Sequence, residues 1–214
     1  MVARDIALSE LTGARVHLAH ISTRGSVRLI REAKQRGLPV SAETCPHYFV
    51  LTEERLMGFD TQAKMKPPLA SHQDLEEIRK GLSDGTLDAI ATDHAPHAPH
   101  EKEIEFDRAP FGVIGLETAL AVSLQLVEDD VLTLPELIRK FTAGPANVLK
   151  NTHREVGRLS VGGPADVAVI DPNAEWTVDG ASFRSRSRNS PFLGWKLKGK
   201  VVATYVEGKE VYRA

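Results

Sequence analysis

The sequence is poor in several of the residues that announce common functions. A single cysteine, Cys45, leaves no internal disulfide and no CxxC pair, which fits a reducing compartment. Neither sign of charge prevails. Lys plus Arg number 27 against 29 Asp plus Glu, and the net charge of −2 gives no electrostatic footprint for nucleic acid or an anionic membrane. No stretch approaches the roughly 20 apolar residues that a membrane span needs. The first residues, Met1-Val2-Ala3-Arg4-Asp5-Ile6, lack the basic-then-apolar layout of a secretory signal. A cytoplasmic setting is the expectation that fits these features, and partners have to be argued from a site. Internal repeats and low-complexity tracts are also missing.

What is present is an ordinary globular composition. With 42% hydrophobic and 26% charged residues over 214 positions, the chain is long enough to bury a substantial core. The first half alternates helical and strand patterns. Val2, Ile6, Ala7 and Leu11 share one helical face, Gly13 closes the turn, and Arg15 to His20 alternates as a strand. Ser26 to Gln35 is helical with Gly37 as its stop, and Pro39 to Thr44 returns to strand character. Ser71 with Asp74 resembles a cap ahead of Leu75, Ile78 and Leu82, and Gly85 ends that helix before the strand leading to Asp93. Such alternation implies parallel βα units.

The second half changes character. Residues 115–128 and 134–150 have helical patterns, the latter interrupted at Gly144-Pro145. Beyond Gly157 come short strands at 165–171, 176–178 and 200–206, with a turn at Glu207-Gly208-Lys209. They predict a small, mostly antiparallel β unit.

The chemistry concentrates where the run Leu87 to Thr92 ends in Asp93-His94-Ala95-Pro96-His97. A carboxylate and imidazoles at the carboxyl end of a buried parallel strand have the layout of a metal-dependent active site. His20 ends another strand, so its imidazole is expected at the same rim, as a second ligand to a shared metal. His17, three residues earlier, is expected on the opposite face in a structural role. His100 belongs to solvated loop. His47 serves either to orient substrate or a metal ligand, or as a neutral packing residue. Cys45 is expected to be a small buried residue. The stiff segment Lys64 to Leu69 either presents backbone groups to a ligand or connects elements. Phe111 to Gly115 either offers amides to a small polar ring or precedes a helix. The run Arg184, Arg186, Arg188 has no interleaved aromatics and is expected to be an extended structural strand rather than an RNA contact.

Six motifs, in this order, resemble the class I dihydroorotases of the amidohydrolase superfamily: His20-Ile21-Ser22-Thr23, Glu43 to Tyr48, Lys64 to Leu69, Asp93 to His97, Pro110 to Thr118, and Arg188 to Phe192. The resemblance covers essentially the whole chain. It implies an α/β fold, namely the C-terminal portion of a TIM-like (β/α)8 hydrolase barrel over residues 1–156, with part of a small β-sandwich over 157–214. It further implies a binuclear Zn2+ site with His20 and Asp93 as metal ligands and Asp93 as the catalytic proton carrier. His97 is then the residue that holds the substrate carboxylate, with Lys66, Phe111 and Gly112 at the substrate ring. Lys66 stands where many members have Asn, and Ala70 where an Arg is usual.

The implied reaction is reversible hydrolysis of dihydroorotate to carbamoyl aspartate in pyrimidine biosynthesis. Implied associations are a homodimer or aspartate transcarbamoylase. The family's other metal ligands, among them a His-x-His pair, have no counterpart in this sequence, so the chain is expected to be a half-length fragment without activity of its own. The alternatives are a non-catalytic scaffold for aspartate transcarbamoylase and a hydantoinase with another cyclic amide substrate.

Overall fold

The computed structural model describes residues 1–150 and 156–214. Helix α1 (Val2–Thr12) leads into strand β1 (Val16–Leu18), α2 (Arg24–Gln35) into β2 (Val40–Thr44), and α3 (His72–Ser83) into β3 (Ala89–Ile90). The three strands pair in the order β1-β2-β3, all parallel, with Val16 opposite Val40 and Thr44 opposite Ile90. This is the βα alternation expected from the sequence. Each helix returns the chain to the same end of the sheet, so the carboxyl ends of all three strands share one rim.

Local signals account for most boundaries. Gly13 ends α1 in the left-handed conformation at φ 70°, which costs glycine nothing. Thr23 caps α2 by accepting from the Ser26 amide, and Ser71 and Asp74 form a reciprocal capping box on α3. The face of α1 departs from expectation. Ile6 and Ser9 are buried, whereas Leu8 and Leu11 are exposed. Ser9 turns inward because its hydroxyl donates to the Ala14 carbonyl at 2.7 Å, tying the helix end to the approach of β1.

Short α4 (Pro99–Lys102) follows the Asp93 loop, then α5 (Ala119–Glu128), α6 (Leu134–Phe141) and α7 (Ala143–Leu149). The expected 134–150 helix is two helices broken at Thr142, not at Pro145. Pro145 sits in the first turn of α7, where a missing amide hydrogen is harmless. Gly144 makes the break possible: a Cβ there would lie 2.3 Å from the Asp88 carbonyl oxygen.

The remaining strands are β4 (Val167–Thr177), β5 (Lys196–Val206) and β6 (Lys209–Arg213), an antiparallel sheet in the order β4-β5-β6. Two strands expected at 165–171 and 176–178 are one strand with an irregularity between Asp171 and Glu175, where Pro172 cannot donate to the ladder. Arg184, Arg186 and Arg188 lie in irregular chain rather than in a strand. Arg188 donates to the carbonyls of Ser185 and Ser187, closing the loop on itself. Position 155 and its neighbours back to 151 lie outside the described residues, next to the expected domain boundary.

Two apolar clusters meet at α5. Leu124 and Leu126 pack with Ile30, Ile78 and Leu137 beneath the parallel sheet, while Ala121 and Val122 pack with Tyr48, Phe192 and Leu197 toward the antiparallel sheet. That double duty explains why α5 is apolar around most of its circumference. Among the described residues no helix is long and apolar enough to cross a membrane.

Candidate active site

The rim of the parallel sheet gathers His20, Glu43, Cys45, His47 and Asp93. Both His20 and Asp93 occupy the left-handed region, at φ 56° and 46°. Non-glycine residues adopt that region at a cost and collect at functional sites. There the turn redirects each side chain from strand alternation into the rim. His20 Nε2 lies 3.5 Å from Asp93 Oδ1, and its Nδ1 lies 3.1 Å from Glu43 Oε1. Glu43 Oε2 reaches His17 Nε2 at 3.3 Å, and His17 Nδ1 meets the Ser41 hydroxyl at 2.9 Å.

This corrects one sequence expectation. His17 and His20 do not face opposite sides. The left-handed turn at His20 follows the end of β1 at Leu18 and breaks the period of two, so one carboxylate bridges both rings. Glu43 was passed over in the sequence as an ordinary strand residue. Its signal was the one charged residue in the strand, two positions before Cys45.

Electrostatics follow from this chain of contacts. Although burial pushes the other way, hydrogen bonds from His17 and His20 pull the Glu43 carboxyl down to about 2. The Glu43 hydrogen bond raises His20 above the ordinary imidazole value, outweighing burial, with Asp93 adding to the rise. Glu43 therefore engages Nδ1 and leaves Nε2 turned toward Asp93, the orienting arrangement that carboxylates provide to metal-bound imidazoles. An imidazole nitrogen and a carboxylate oxygen are donors suited to zinc, so the two residues fit as part of a metal site. Among the described residues no group of three or more His, Cys, Asp or Glu is arranged to hold a metal ion.

The neighbouring residues are set against reactivity. Burial pushes the Cys45 thiol far up, with Asp93 and Glu43 adding to it, so Cys45 remains a thiol as its role as a small buried residue requires. Burial pushes His47 down to about 3, and its ring packs edge-on against Tyr48 at 4.2 Å between centroids. Its Nε2 is buried with no hydrogen-bond partner among the described residues, as suits a neutral imidazole.

A second layer of loops lies over the rim. Ala95 donates to the Val113 carbonyl at 2.9 Å, joining the Asp93 segment to the Phe111 segment. Asn189, nearly fully buried, holds both: its amide nitrogen donates to the carbonyls of Ala95 and Gly112, and its oxygen accepts from the His97 amide. His94 turns away from the rim, where Nδ1 accepts from the Gly115 and Leu116 amides. His97 Nε2 lies 2.9 Å from the Phe111 carbonyl oxygen and Nδ1 is 3.7 Å from Glu101 Oε2. Gly112, at φ 120°, admits this packing; a Cβ there would stand 2.5 Å from Ala95 Cβ. Phe111 is half exposed, with exposed Lys66 over its ring at 5.6 Å. His100 is exposed as expected, but it lies in α4 rather than in loop, because Pro99 at the first helical position and the Glu101 carboxylate on the Ala98 amide start a helical turn there.

Comparison with known proteins places this geometry in context. The amidohydrolase family pattern matches residues 2–211. The chain is 54% identical over 213 residues to the dihydroorotase of Syntrophus aciditrophicus, covering 100% of this chain and 49% of that protein. It is 56% identical over 212 residues to the dihydroorotase of Syntrophotalea carbinolica, covering 99% and 49%. Among solved structures, an L-hydantoinase (dihydropyrimidinase) from Arthrobacter aurescens superposes with TM-score 0.93 at 30% identity, covering 99% of this chain and 48% of that one. A dihydropyrimidinase from Brevibacillus agri gives 0.92 at 26%, with the same coverage. The chain thus spans about half the length of the relatives it matches.

Proposed function

The chain belongs to the amidohydrolase family, and on that premise we propose that it carries part of a dihydroorotase active site, with residues 1–156 as barrel and 157–214 as part of the small β domain. The observation that carries the proposal is the convergence of His20 Nε2 and Asp93 Oδ1 to 3.5 Å from two separate strand ends. In this reading His20 and Asp93 hold Zn2+ together with ligands from outside these 214 residues. Bound there, zinc would lower the pKa of a water molecule and polarise the amide carbonyl of dihydroorotate.

The chain's own groups supply the rest. Glu43 fixes the His20 ring through Nδ1, so that Nε2 keeps its direction. Asp93 takes a proton from the attacking water and returns it to the departing ring nitrogen, which requires one carboxylate oxygen within hydrogen-bond reach of both. His97 binds the carboxylate of dihydroorotate or carbamoyl aspartate. With Nε2–H donated to the Phe111 carbonyl, the ring needs a proton on Nδ1 to donate to that carboxylate, and Glu101 faces Nδ1 in the meantime. Phe111, Gly112 and Lys66 border the ring pocket. The exposed ammonium of Lys66 replaces an amide contact with a charge, favouring an anionic substrate. The zinc, the place in pyrimidine biosynthesis, a cytoplasmic setting, and a homodimer or an aspartate transcarbamoylase complex belong to the same proposal.

Support for dihydroorotate over a hydantoin comes from the relatives of higher identity, which are named dihydroorotases, and from His97. The test is a hybrid in which this chain replaces the matching stretch of the Syntrophus aciditrophicus dihydroorotase. With zinc, the hybrid is expected to hydrolyse dihydroorotate and to leave hydantoin nearly untouched. The reverse preference would transfer the assignment to the hydantoinases.

A further inference from the structure

Two lysines beneath the Phe111 loop are buried with no carboxylate in salt-bridge contact among the described residues. Lys64 is 8% exposed and Lys102 2%. Burying an ammonium is costly unless its hydrogens are satisfied, and here, among the described residues, the hydrogen bonds of both Nζ atoms go to carbonyls. Lys64 Nζ donates to the carbonyls of Phe106, Asp107 (3.1 Å) and Ala109 (2.6 Å). Lys102 Nζ donates to those of Pro110 (3.0 Å) and Gly112 (3.1 Å). Three acceptors match the three hydrogens of an ammonium; two acceptors can be served by an amine as well. Five of the seven carbonyls from 106 to 112 are thereby fixed by two side chains. The loop is held in register as well, since the Gly112 amide donates to the Lys64 carbonyl at 2.9 Å.

The consequence falls on Phe111, one of the two carbonyls in this stretch that the lysines do not hold. Lys102 takes Pro110 and Gly112, and the intervening Phe111 carbonyl turns the opposite way, onto His97 Nε2 at 2.9 Å. Lys64 also lies 4.7 Å from the Phe111 ring centroid, so the aromatic and its carbonyl are both anchored. We propose that Lys64 and Lys102 are a pair of positioning residues, whose hold on the 106–112 carbonyls aims the Phe111 carbonyl and so fixes the ring orientation and tautomer of His97. The inference deepens the dihydroorotase reading, on which it rests only for the meaning of His97. Its test reads His97 directly and stands or fails whatever the substrate.

The test is nitrogen-15 NMR of the histidine rings in the 214-residue chain, with hydrogen exchange at Gly112, for wild type, Lys102→Met and Lys64→Met. In the wild type His97 is expected as a fixed Nε2–H tautomer. In each variant that ring is expected to pass to a mixed tautomer, and Gly112 exchange to rise roughly tenfold, the scale of one lost hydrogen bond in a local opening. Lys80→Met, on the exposed face of α3, is the control and should change neither. Should Lys64→Met fail to fold, Lys102→Met and Lys102→Gln carry the test alone. An unchanged His97 tautomer with unchanged Gly112 exchange in folded Lys102→Met would overturn the inference. So would an equal acceleration at the amides of β1 and β2, which marks general loosening.

Discussion

Asp93 and His20 pay a conformational cost for their places at the rim. Each is a non-glycine residue in the left-handed region, and the shared turn geometry brings a nitrogen and an oxygen from different strands together. Where side chains act on a reacting centre rather than on packing, replacing one removes activity and spares the fold. Asp93→Asn is therefore expected to lower turnover of the hybrid by roughly 10³-fold, within the range of a lost proton carrier, while its far-ultraviolet circular dichroism stays at the parent's. Glu43→Gln keeps the shape but loses the charge that orients His20, and is expected to weaken zinc affinity by about 10- to 100-fold, as loss of such partners does elsewhere. Equilibrium dialysis would read this.

Lys102 makes a statement about pH. Burial, with Lys64 adding repulsion, lowers it from 10.5 to about 8. Below pH 8 it is protonated both folded and unfolded, so the cost of burying the charge is fully present there. As pH rises from 8 to 10.5 the folded state loses the proton first and the cost is relieved, by up to about 3 kcal/mol. Urea unfolding of wild type against Lys102→Met is expected to show this as a difference that grows in favour of wild type across that window. A flat difference would contradict it.

At the scale of elements, caps and glycines decide how strands and helices meet. Ser71→Ala removes the capping box of α3 and is expected to cost about 1 kcal/mol in urea unfolding. Gly199, at φ 94°, lets β5 approach α5 closely; a Cβ there would stand 2.1 Å from Leu124 Cδ1. The sequence made the parallel βα order, the caps at Thr23 and Ser71 and the stop at Gly13 legible, because each rests on neighbours in the chain. It hid what depends on distant contacts. The buried face of α1 is set by Ser9 reaching Ala14 and not by apolar periodicity, and the α6–α7 break is set by Gly144 meeting Asp88. The site divides in the same way. Asp93 and His20 stood out as strand-end donors, whereas Glu43, Asn189 and Lys64 act through partners 23 to 94 residues away, and Lys102 through loop carbonyls 8 and 10 residues on. His17 was misplaced because period two was carried past the end of the strand.

Among the described residues the molecule has a three-stranded parallel sheet with helices and an attached antiparallel sheet, and the chain matches about half the length of its relatives. Among the described residues β1 and β3 each pair on one side only, and Met1, Leu8 and Leu11 are exposed near the β1 end. Unpaired edges and exposed apolar groups invite association. The 214-residue chain is accordingly expected to bind an apolar dye such as anilinonaphthalene sulfonate more strongly than the hybrid does per molecule.

The central claim is that this chain supplies His20 and Asp93 to a dihydroorotase centre. The most direct measurement is dihydroorotate hydrolysis by the zinc-loaded hybrid, with and without Asp93→Asn. The account requires turnover in the hybrid and its loss in the Asp93→Asn form at unchanged fold. Near-equal turnover in the two would contradict it.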